Sequence, residues 1–477
     1  MIAGKADTIA KTREALMPSA IAARAEVLNR AVLDSSHLEA ERLLGELIGI
    51  QEELDWHCYR IYDLLPATGK GAELECATPP ELALGERAFE IVMARRVSAG
   101  IETTNWFERH GSRPITELPK HWPPDYRAVV ERRIALIESD RNIGLIERPE
   151  YKRRWNTPAW QDLEQDAMRY WLLDRLEKPA LWPCSAEVPP QLTTTNRLAE
   201  LARADAEFMQ VAALYAGHTD FEPARLVAEL VAAEAMPLLP VQRYTNDGLR
   251  KRAQWEDTWV LQRREDAIDA EIDQLEEARR LELIALVTKA AECATPDADA
   301  LAWVRQELDK TFIPLRKDRK AREVGPIPAP PKYKSSDFLR ADLWHLRGGL
   351  DVPKERFVSF PGAERGADGS LPIAWAGWNH LQLATALAGY YGEMKNNEGW
   401  EPARLQPLLA GLLELVPWLE QWHNDLDPEF GQRMGTYYRS FVTEDARELG
   451  FTLDDLRAWK PAVVASKRGR KKANREA

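Results

Sequence analysis

Forty residues from Lys251 to Ala290 are highly charged and keep only a thin apolar seam: Ile268, Ile272, Leu275, Leu281 and Ile284. Spacings of three and four dominate that seam. A stripe so narrow can bury one side of a helix and no more, so the stretch predicts a helical arm or hairpin. Such an arm is a packing or spacing device before it is a reaction centre. Around it, residues 192–290 read as an almost uninterrupted succession of helices. Thr195 or Asn196 can cap the first, and Pro237–Asn246 separates the next pair. The predicted fold is therefore mainly α: multi-helix domains with a charged arm, followed by a Trp-rich, mostly helical carboxy-terminal domain.

The flanking segments support this organisation. From Ser36, which has capping-box spacing to Glu39, the residues Leu44, Leu47, Ile48, Leu54, Cys58, Ile61 and Leu65 recur at helical intervals. Pro66 and Gly69–Gly71 should end that helix. Helices are also expected at about 86–98, 124–141 and 157–178. The segment boundaries follow: 1–66, an amino-terminal helical segment; 67–190, a helical region; 191–315, a helical domain with the arm; 316–334, a basic Pro-rich linker; 335–461, the Trp-rich domain; and 462–477, a basic tail. Four prolines within Pro326–Pro331 favour extended geometry. The last domain carries seven of the 17 tryptophans, and its first half, Leu350–Leu371, is loop- or strand-like.

Composition excludes several classes. A chain of 477 residues with 45 % hydrophobic and 29 % charged content can hold several cored, globular domains. The longest apolar runs, such as Leu408–Leu419, contain Glu and Pro, so no membrane partner is expected. Lys5, Asp7, Lys11, Arg13 and Glu14 break up any signal-peptide pattern. Cys58, Cys76, Cys184 and Cys293 have no paired spacing, which predicts a reducing compartment, the cytoplasm, and no structural zinc. The net charge of −12 confines nucleic-acid contact to local patches.

The search for chemistry yields no catalytic, cofactor-binding or metal residue. No glycine fingerprint or phosphate loop occurs. The Pro-Pro sites at Thr78–Glu81, Trp122–Asp125, Val188–Gln191 and Ala329–Lys332 do not match the Asn/Asp-Pro-Pro-aromatic loop that grips a flipped adenine. His57, His380 and His423 read as packed or hydrogen-bonded residues, because none has ligand spacing. The basic clusters carry more. In Gly144–Trp155, Lys152, Arg153 and Arg154 stand between Tyr151 and Trp155, a pattern that can grip phosphates beside an aromatic. The plainer alternative is a turn whose cations pair with Glu147 and Glu150. Arg316–Lys334 holds seven basic residues against two acids, with Lys332 and Lys334 as its candidate contacts. In the tail, Lys467, Arg468, Arg470, Lys471 and Lys472 have the composition of a minor-groove arm.

Several segments taken together are more specific than any one patch. Leu47–Leu65 with Gln51-Glu-Glu-Leu-Asp-Trp56, Gly85-Glu-Arg-Ala-Phe-Glu-Ile91 with Arg95-Arg96, Ile143–Trp155, and Leu249–Trp259 with Gln262–Asp266 form one set. Pro330–Phe338, Leu350–Phe357, Pro361–Arg365, Trp375-Ala-Gly-Trp378 and Trp418–Asn424 form another. The first set resembles successive blocks of large restriction–modification methyltransferases, beginning with the helix that follows their target-recognition region, and the second resembles the carboxy-terminal domain of the PglX family, the adenine-specific DNA methyltransferases of type 2 bacteriophage-exclusion (phage growth limitation) systems. The resemblance implies a part in phage defence through adenine methylation. It also implies DNA, a catalytic methyltransferase part and other phage-exclusion proteins as partners. Family members keep their catalytic domain and S-adenosylmethionine site upstream of the resembling region, so no catalytic residue is carried over. A non-catalytic DNA-holding or docking part is expected. The competing expectations are an interaction scaffold without DNA contact and an inactive remnant.

Overall fold

The computed structural model describes residues 2–24, 28–65, 72–156, 158–185, 187–291, 295–347, 355–365, 369–428 and 431–461. Among them are eighteen α-helices and one small four-stranded sheet, so the fold is mainly α. The chain divides into two compact units. One is Met1–Leu176 with Ala202–Pro223, and the other is Glu177–Leu201 with Ala224–Ala477. No helix among the described residues is long and apolar enough to cross a membrane.

The first unit is organised by the helix Arg30–Ile61. It begins six residues before Ser36, because Asn29 is the residue that caps it, its side chain accepting from the Val32 amide at 3.0 Å. Ser36 is a buried mid-helix residue instead. The helix ends at Ile61, and Asp63 follows at φ 54°, before the expected stop at Pro66. Its inward face places Ile48 and Trp56 in a core with Ile91 and Val92 of Ala88–Ser98, Tyr126 and Ile134 of Pro124–Ser139, and Ile143. Each large side chain removed from water there contributes roughly 1.5–3 kcal/mol.

In the second unit the charged arm is a helical hairpin of Asn246–Ala291 packed on Ala298–Glu323. Ile268, Ile272 and Leu283 bury against Val304, Leu308 and Phe312. Leu275 and Leu281 of the predicted seam are exposed. At about 100° per residue Leu281 lies on the far side from Ile268, whereas Leu283 returns to the seam.

The hairpin also takes in the first part of the expected linker. Residues 316–323 are the last turns of Ala298–Glu323, not extended chain. Arg316 pairs with Asp269 at 3.2 Å and Asp273 at 2.7 Å, and Lys320 with Asp269 at 2.7 Å. Arg319 reaches Glu271 at 2.8 Å. The acids of the facing helix thus hold this basic run helical. The helix ends there: residues 325–334 form neither helix nor strand, and Gly325, with a φ of 74°, turns the backbone out of the helix.

Four short strands complete the second unit: β1 Thr193–Thr194, β2 Ala235–Pro237, β3 Phe357–Ser359 and β4 Pro372–Trp375. Their order is β1-β4-β3-β2, with β2 and β3 parallel and the other neighbours antiparallel. A lone hairpin is marginal in water. Accordingly, the strand-like part of the Trp-rich segment is completed by strands from residues 193–237. The helices His380–Asn396, Pro402–Trp422, Met434–Glu448 and Leu453–Ala458 follow. His380 stacks on Trp418, ring centroids 5.5 Å apart.

Candidate nucleic-acid interface

The basic-aromatic segment is shaped by two short elements. Asp140 caps the helix Arg141–Ile146, accepting from the amides of Asn142 and Ile143 at 2.8 and 2.9 Å. Gly144 lets that helix press on its neighbour: a Cβ there would meet the Ile137 carbonyl oxygen at 2.8 Å. Pro149 then opens a single 3-10 turn, Pro149–Tyr151, and the chain continues without helix or strand through Trp155.

Lys152 points inward, which removes it from the set of surface phosphate contacts. Its side chain is buried, its ammonium contacts Glu147, and it lies 3.0 Å from both Asp55 Oδ2 and the Tyr59 hydroxyl. Tyr59 in turn donates to Glu147 at 2.7 Å. Burial by itself would lower the Lys152 pKa. Glu147 and Asp55 beside it outweigh that and raise it, so the ammonium stays charged. The ion-paired alternative therefore holds for this residue.

The neighbours of Lys152 behave differently. Tyr151, Arg153 and Arg154 are exposed and Trp155 is half-buried. The Arg153 guanidinium lies 4.2 Å from the Trp155 ring centroid, while its backbone carbonyl accepts from Arg87 at 2.9 Å. Among the described residues, neither Arg153 nor Arg154 has an ion-pair partner.

Beside this segment lies a cleft of about 480 Å³ that the sequence did not announce. Arg96, Arg109, Arg148 and Arg154 line it, together with His110 and Glu147. Among the described residues none of the four guanidinia has an ion-pair or hydrogen-bond partner. Arg154 belongs to the cluster already singled out in the sequence; for the others the signals were Arg95-Arg96 and Arg109-His110 near two helix ends. Nothing local ties those pairs to each other or to Arg148.

In the second unit Lys332 and Lys334 are exposed while Tyr333, between them, stacks on Tyr244 at 5.2 Å. Asp337 fixes this stretch: its Oδ2 accepts from the Lys334 amide and from Lys251, each at 2.6 Å. Lys467, Arg468, Arg470, Lys471 and Lys472 lie outside the described residues.

Comparison with known proteins places the chain. A family model described as a domain of unknown function, DUF7008, matches residues 47–472. The chain belongs to this family. It is also 41 % identical, over 97 % of its length, to adenine-specific methyltransferase PglX of Streptomyces coelicolor. It spans 34 % of the length of that relative and corresponds to a carboxy-terminal portion. No solved structure matches.

Three of the segments that carried the family resemblance meet in the polar core of the first unit. Glu53 pairs with the fully buried Arg133 at 2.7 Å, and Asp55 with Lys152. Glu90 accepts from Arg87 at 2.9 Å and from the Trp106 indole at 3.0 Å. Those family acids are structural wiring, facing inward.

Proposed function

We propose that this chain forms a non-catalytic, DNA-holding part of an adenine-specific DNA methyltransferase in bacterial phage defence. A catalytic part elsewhere binds S-adenosylmethionine and transfers the methyl group to adenine in the cytoplasm. The observation that carries the DNA role is the pair Arg153 and Arg154, exposed and unpaired beside Tyr151 and Trp155 in an otherwise acidic chain. Guanidinia free of protein carboxylates can take phosphate oxygens bidentately, and Trp155 steadies one of them. Lys332, Lys334 and the basic tail supply further backbone contacts. Binding of this kind tolerates sequence change and weakens steeply with salt. The test is duplex affinity of the Arg153→Glu/Arg154→Glu variant across a salt series. Affinity equal to that of the parent ends the assignment.

A second reading, docking of other phage-exclusion proteins, rests on the second unit. A cleft of about 430 Å³ there is lined by Trp259, Trp418 and Trp459, and elsewhere in that unit Trp422 is 59 % exposed. Aromatic clefts of this kind anchor protein partners. Loss of partner binding in Trp259→Ala with duplex binding intact would favour it.

A further inference from the structure

We infer that the arginine-lined cleft of the first unit binds a free, phosphate-bearing nucleotide. Arg96 comes from the helix Ala88–Ser98, Arg109 from the short helix Trp106–Arg109, and Arg148 and Arg154 from either side of the Pro149–Tyr151 turn. Four like charges converge on one concavity, and among the described residues no protein anion pairs with any of them. Glu102 and Glu150 line the same cleft without pairing to them, and the charge of Glu147 is taken up by Lys152. The remaining balance, four arginines against two carboxylates, suits a polyanion held by guanidinium forks.

Two buried atoms at the same cleft say more about the ligand. His110 is only 9 % exposed, and its Nδ1 is buried with no partner. Glu147 is 3 % exposed, and its Oε2 is likewise buried and unpartnered, the other oxygen being engaged by Tyr59 and Lys152. Buried polar atoms are nearly always satisfied, so an orphan pair at a cleft points to a missing partner. A carboxylate oxygen only accepts, so its partner must present an N–H or O–H. The ligand therefore combines phosphates with a donor such as a base amine or a ribose hydroxyl. A volume of about 480 Å³ admits one nucleotide.

Calorimetric titration of the full chain tests this with ATP, inorganic tripolyphosphate, adenosine and a short DNA duplex as probes. ATP should bind, tripolyphosphate more weakly, and adenosine not at all. Arg109→Ala/Arg148→Ala should weaken ATP at least tenfold while leaving both the thermal transition and duplex affinity unchanged. Neither residue belongs to the proposed DNA contact set, so failure here leaves that proposal standing. No heat with ATP, or equal heat in the variant, overturns the site. Tripolyphosphate binding as tightly as ATP overturns the nucleotide assignment, as does a variant that loses duplex and retains ATP.

Discussion

Residues 144–155 and 316–323 look alike as sequence, each a basic run beside a helical segment, yet their cations meet different fates. In 316–323 the facing helix presents Asp269, Glu271 and Asp273, and Arg316, Arg319 and Lys320 are spent on them. In 144–155 one cation, Lys152, is drawn into a buried network and the next two are left outside. A run of positive charge stays available to an outside anion only where the fold supplies no carboxylates opposite it.

The contrast can be broken or sharpened by substitution. The largest effect should come from Lys152→Met, which strands Glu147 and Asp55 without their cation. Losing one partner of a buried pair costs about 3–5 kcal/mol, read as a shift in the chemical-denaturation midpoint. A change below about 1 kcal/mol would mean that Lys152 is not locked in. Gly144→Ala should cost about 1–3 kcal/mol, since overpacking forces the two helices apart. An unshifted midpoint would show that the Ile137 carbonyl yields freely.

Smaller effects separate surface roles. Arg153→Glu/Arg154→Glu should leave folding stability nearly unchanged and lower duplex affinity about tenfold near physiological salt, with the log–log salt slope shallower by about 2. Arg316→Ala should reduce stability by less than about 1 kcal/mol, as exposed ion pairs do, and leave duplex affinity untouched. A loss of DNA binding there would contradict the view that its charge is already used.

The smallest effect concerns the anchor beneath Lys334. Burial works against charge on Asp337, but Lys251 and the Lys334 amide hold its carboxyl below the usual carboxylate range. A lowered folded-state pKa means that the native state binds fewer protons in acid. The stabilisation is therefore full above the unfolded value near 4 and is lost as pH falls through the folded one. Asp337→Asn should flatten the acid limb of the stability profile, and an unchanged limb would discount the anchor.

Much of the fold was legible where one strong local signal had no rival. The helices expected at about 124–141 and 157–178 are found at Pro124–Ser139 and Trp160–Leu176. Ser36 and Glu39 have capping-box spacing and cap nothing, because Asn29 had already started that helix. The site was less legible. Tyr151–Trp155 could be picked out as a cluster, but which of its side chains turn inward depends on Asp55 and Tyr59, some 90 residues away. The arginine cleft gathers its arginines from two helices and the two sides of a turn, with no spacing to reveal it.

The sequence by itself determined the helical class, the charged arm and the absence of helix across the prolines after Gly325. These follow from periodicity, capping and proline geometry, which act within a few residues. Only the tertiary structure decided that Lys152 is internal, that Arg316 and its neighbours are neutralised, and that four distant arginines face one cleft. The fate of a charge is set by whether an opposite charge lies within a few ångströms in space, and the order of residues along the chain does not state that distance.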